Sequence, residues 1–79
     1  MGLSKNNFSI YPNPVNNVLN ISVKNEISIN NLSITDLNGR VVTSSSSSSS
    51  IDVSNLSSGV YFVSIETNEG RGTAKFVKN

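Results

Sequence analysis

Apolar and polar residues alternate along much of the chain, and nowhere does an apolar stripe recur at helical spacing. Successive side chains on a strand point to opposite faces, so this alternation marks half-buried β-strands. Phe8-Ser9-Ile10-Tyr11 alternates first, and Pro12-Asn13-Pro14 then interrupts it. Proline fixes φ and lacks an amide donor, so the pair should end or kink an edge strand. Leu19, Ile21 and Val23 alternate with Asn20, Ser22 and Lys24 as a second strand. Ile27 and Ile29 form a shorter alternating piece, and Leu32 and Ile34 begin the next strand.

Turn chemistry separates the later strands. Asp36-Leu37-Asn38-Gly39 combines side chains that cap local amides with a glycine free to take positive φ. With Val41 and Val42 after it, Leu32 to Thr43 reads as a β-hairpin. Ser44 to Ser50 is an unbroken run of seven serines. No side chain in it can build a core, so it is expected as a flexible surface loop, or a short exposed edge of weak pairing. Ile51 and Val53 make a short strand, and Leu56-Ser57-Ser58-Gly59 a turn or crossover.

Val60 to Glu66 is the strongest strand, rich in β-branched and aromatic residues. Tyr61, Val63 and Ile65 should face the core, leaving Val60, Phe62 and Ser64 on the opposite face. Thr67-Asn68-Glu69-Gly70 is a second hairpin turn, returning through Arg71-Gly72 into Thr73 to Lys78, where Ala74 and Phe76 alternate with Thr73, Lys75 and Val77. About seven short strands with regular turn signals and no helix predict an all-β, Ig-like antiparallel β-sandwich. A small barrel is the second choice.

Composition narrows what such a domain can do. At 79 residues there is room for one core, and a chain this short buries only about 60% of its unfolded surface. The chain has no cysteine and no histidine. Disulfides, thiolate sites and the usual neutral-pH base are therefore unavailable, and no enzyme or cofactor chemistry is expected. The six basic and five acidic residues are scattered, leaving a net charge of +1. Nucleic-acid binding needs a clustered basic face, which is missing. No apolar run approaches the roughly 20 residues of a membrane-spanning helix. Residues 1–5 read as linker, with Met1 and Gly2 as additions to a fragment of something longer, and residues 6–79 as the domain.

Four segments together resemble one family. Leu56-Ser57-Ser58-Gly59-Val60-Tyr61-Phe62-Val63-Ser64-Ile65 is similar to a segment of the type A C-terminal sorting domains of the type IX (Por) secretion system. The terminal strand Thr73 to Lys78 matches that family's closing basic-apolar strand. Tyr11-Pro12-Asn13-Pro14 with Leu19-Asn20-Ile21 resembles its opening, and Ile34 to Val42 its central hairpin. The serine run departs from the more varied residues usual before the Ile51-Asp52-Val53-Ser54-Asn55-Leu56 stretch.

The resemblance implies a non-catalytic secretion signal. Family members reach the periplasm, where an outer-membrane translocon and its shuttle protein recognise the domain. A surface sortase-like peptidase then removes it, and the cargo is released or anchored at the cell surface. The same resemblance implies no cofactor, no small-molecule substrate and no nucleic acid, and the isolated domain is expected to be a monomer.

Partner recognition is assigned on that basis to Lys75, Val77 and Lys78, and to Pro12, Asn13 and Pro14. An exposed last strand offers unpaired backbone groups, and flanking lysines add charge steering. The plainer alternatives are that the lysines guard an edge against aggregation, and that the prolines only set a corner. Gly39, Gly59 and Gly70 read as turn residues, and Tyr61 as a core residue with its hydroxyl at the rim. Asp36 to Gly39 holds too few oxygen ligands for a calcium loop, so a plain turn is expected. The rival function is a carbohydrate-binding or adhesive Ig-like module, which would require Phe62 exposed beside another aromatic on a flat face.

Overall fold

The computed structural model describes residues 8–24, 27–46 and 49–79. Those residues contain seven strands and no helix: β1 (Phe8–Tyr11), β2 (Val18–Val23), β3 (Ile29–Thr35), β4 (Val41–Ser46), β5 (Ser50–Asp52), β6 (Gly59–Thr67) and β7 (Gly70–Lys78). They form two sheets, ordered β1-β2-β5 and β4-β3-β6-β7, with every strand pair antiparallel. The expected sandwich is present. The edge strands of the two sheets do not pair with one another among the described residues, so the layers stay separate and no barrel closes.

The alternation read from the sequence becomes the core. Leu19, Ile21 and Ile51 project from the smaller sheet, and Leu32, Ile34, Val63, Ile65 and Phe76 from the larger, all buried together. Val15 and Val53, lying just outside strands, are fully buried with them. Burying such side chains stabilises by about 1.5–3 kcal/mol each. Residues 1–7, including the expected linker 1–5, lie outside the described set, as do Ser47 and Ser48.

One expectation is corrected. Ile29 does not belong to a separate short piece; it opens β3. Ile29 and Leu32 are three positions apart, out of phase for one face, and a bulge between Ile29 and Asn31 in the pairing with β6 absorbs the extra residue. In the serine run the second of the two expected states is met in part: Ser44, Ser45 and Ser46 continue the edge strand β4 opposite Ser33, Leu32 and Asn31, while Ser50 belongs to β5. The backbone carries the ladder, and serine side chains on an edge strand do nothing to oppose it.

The hairpin turns form as expected. Asp36 accepts the amides of Asn38 (2.9 Å) and Arg40 (3.0 Å) on Oδ1, and Gly39 takes φ 86°. At the second turn, the Thr67 hydroxyl donates to the Gly70 carbonyl and accepts the Glu69 amide.

Candidate functional site

The two stretches singled out as recognition elements lie at opposite ends of the sequence, and the fold joins them. β1 ends at Tyr11, and Pro12, Asn13 and Pro14 follow as an exposed loop with both prolyl bonds cis. Neither proline has an amide to offer a neighbouring strand. Asn13 supplies a side chain instead, and its Oδ1 accepts the amide of Val77 at 2.9 Å. Val15, the first residue beyond the prolines, donates its amide to the Val77 carbonyl and accepts the Asn79 amide, each at 2.9 Å. It thereby bridges in parallel to Lys78. Asn79 closes the contact from the other side, its Nδ2 donating to Asn16 Oδ1 at 3.1 Å. Val15 itself is fully buried, so the loop is pinned to the core as well as to the terminal strand.

This clasp changes the picture of the last strand. From sequence, an exposed last strand is expected to offer unpaired backbone groups to a partner. In the structure those of Val77 and the amide of Asn79 are already engaged by Asn13 and Val15. Lys78 is corrected too, being almost fully buried, with Nζ donating to the Asn79 carbonyl oxygen at 3.0 Å. It sits opposite Gly59, on the face that turns inward, so it does not stand beside Lys75 as a second free cation. Lys75 is exposed and Val77 is 39% exposed. Val15, Asn16 and Asn79 were missed from sequence; the first apolar residue after a proline pair was the available signal for Val15.

The residues assigned structural roles hold the terminal strand in place from β6. The Tyr61 ring stacks on Phe76 with centroids 5.9 Å apart. Its hydroxyl donates to the Ser57 carbonyl at 2.8 Å. A tyrosine at the start of a strand bonding back to the preceding corner is a recurring device of Ig-type sandwiches. Gly59 takes φ 152° at that corner, a conformation that side-chain-bearing residues rarely adopt.

Other candidate chemistry is absorbed by local structure. Hydrogen bonds from the Arg40 amide first, then from the Asn38 amide and the Arg40 guanidinium, hold the Asp36 carboxyl below its usual range, with desolvation partly opposing them. Asp52 is likewise lowered, chiefly by the hydroxyl and then the amide of Ser54. Phe62 is half-buried, stacks on no other ring among the described residues, and lines a cleft together with the half-buried Phe8.

The fold and this clasp define a small all-β sandwich with a composite surface at its chain ends. The chain belongs to the secretion system C-terminal sorting domain family, whose model matches residues 9–79. This is the sorting domain of type IX secretion, a family that is in general non-catalytic, that engages the type IX machinery and that implies a cargo bound for the cell surface or the medium. A comparison with curated proteins gives no match.

Proposed function

We infer that this domain directs its cargo from the periplasm across the outer membrane, and that the translocon and its shuttle protein read the composite surface built by Pro12, Asn13, Pro14, Lys75 and Val77. Residues 6–79 act as the signal, and a surface peptidase of the sortase-like class removes it after transit. The observation that carries this reading is the Asn13–Val77 hydrogen bond, because it makes one rigid surface from the family's first and last motifs. A surface fixed before binding loses less entropy on docking than two loose segments would. Lys78 contributes by holding the strand end rather than by contact, since it is buried.

Lesions in either half of the surface test this. A periplasmically exported fluorescent reporter carrying this domain should be trapped in the periplasm by Val77→Asp, and equally by replacing Pro12 and Pro14 with alanine, while the domain stays folded. Normal export of both folded variants would remove the composite surface from the account.

A further inference from the structure

An edge strand carries a row of backbone donors and acceptors that another chain can pair with. On β7 that row is only partly used. Backbone groups leave a strand on alternate sides, and those of Val77 point away from β6 toward Asn13 and Val15. Lys75 and Thr73, at the preceding positions of the same parity, therefore present their amides and carbonyls on the same side. They have no backbone partner there among the described residues. The bonds of the clasp end at Val77, two positions beyond Lys75.

Beside this open stretch lies a cleft of about 610 Å³. Phe8 and Ile10 of β1, Phe62 of β6 and Ala74 of β7 bring apolar surface to it, together with Thr73 and Lys75. Lys75 is the one charged residue lining it among the described residues. We propose that the open edge at Thr73 and Lys75 docks an extended peptide segment of a partner protein, which adds a strand outside β7, places an apolar side chain in the cleft and sets an acidic one beside Lys75.

Three observations favour that occupant. Amides and carbonyls repeating at strand spacing match an extended backbone. The same edge already takes a backbone partner at one point, the parallel bridge from Val15, and the new strand continues from it. The only charge lining the cleft among the described residues is positive, which favours an acidic partner. It also disfavours a second copy of this chain, since two paired β7 edges would bring their lysines together. The sorting role inferred above enters only in naming who supplies the strand, the outer-membrane machinery.

The edge is testable on the chain alone. The isotope-labelled domain is titrated by NMR with an acetylated, amidated pentapeptide, Thr-Val-Glu-Val-Thr. Saturating shifts at the Thr73 and Lys75 amides are expected, and lysine in place of the peptide glutamate should weaken binding by about two- to fivefold. Thr73→Pro removes an amide that the fold does not use, at an edge position where proline is tolerated. It should weaken binding by roughly fivefold or more, the equivalent of a lost hydrogen bond. Should that variant fail to fold, Lys75→Glu serves instead and should reverse the preference between the two peptides. Absence of saturation at these amides, or unchanged binding and preference in both variants, overturns the proposal. Peptide binding without export of the parent reporter fusion would uphold the edge while defeating the sorting role; export without peptide binding would do the reverse.

Discussion

The side chain of Asn13 accepts the backbone amide of Val77 at 2.9 Å, across a separation of 64 positions in the chain. That bond links the loop leaving the first strand to the last strand, which also pairs with β6 and with Val15. Asn13→Ala should cost about 1 kcal/mol of stability in urea unfolding and speed exchange of the Val77 amide. Asn13→Asp, which keeps the acceptor, should restore slow exchange. Unchanged exchange in the alanine variant would show that the clasp does not form in solution.

Tyr61 separates ring packing from hydrogen bonding. Tyr61→Phe keeps the stack on Phe76 and loses only the bond to the Ser57 carbonyl, a loss of about 1 kcal/mol. Phe76→Ala empties a fully buried site, at a cost of about 3–5 kcal/mol, enough to leave a domain this small largely unfolded. Thermal melts of the two variants distinguish these magnitudes.

The lowered carboxyls of Asp36 and Asp52 make stability depend on acid. Their folded pKa values lie below the unfolded value of about 3.9. The unfolded chain therefore binds protons first as pH falls. Their contribution is fully present above about pH 4 and is lost as pH drops through the folded values. Asp36→Asn with Asp52→Asn should flatten that acid limb in unfolding midpoints measured between about pH 2 and 6, and an unaltered slope would contradict the assignment.

Ser45 stands directly opposite the buried Leu32, on a half-buried position of β4. Ser45→Val should raise stability by about 0.5–1 kcal/mol through strand propensity and the cross-strand contact. A valine at exposed Ser44 should gain less. Equal effects at the two sites would mean that the serines do not hold this register.

The layers were legible in the sequence because period-two alternation is itself the burial pattern: Leu19 and Ile21, Val63 and Ile65, and Phe76 all lie inside. The turn at Asp36 was legible because its caps act locally. For Ser44 to Ser46 the choice between loop and paired edge was not legible, because strand pairing there is carried by backbone that any residue supplies. Nor was the bulge in β3, which puts Ile29 and Leu32 on one side despite their spacing. At the candidate site, exposure of Lys75 was read from alternation, but burial of Lys78 was not. Alternation places Lys78 on the same face as Phe76, yet a lysine is ordinarily expected in water, and tertiary context decided for burial. The clasp was hidden for a further reason: no local pattern links Asn13 to Val77, and only the assembled sandwich brings them together.

The most direct test of the sorting role is export itself. A periplasmically exported fluorescent reporter ending in this chain is expressed in cells with a working type IX system, beside the same fusion lacking Thr73 to Asn79. Fluorescence on the cell surface or in the medium for the intact fusion, with the shortened one held in the periplasm, is the expected result. An intact, folded fusion that stays in the periplasm alongside the shortened one would contradict the account.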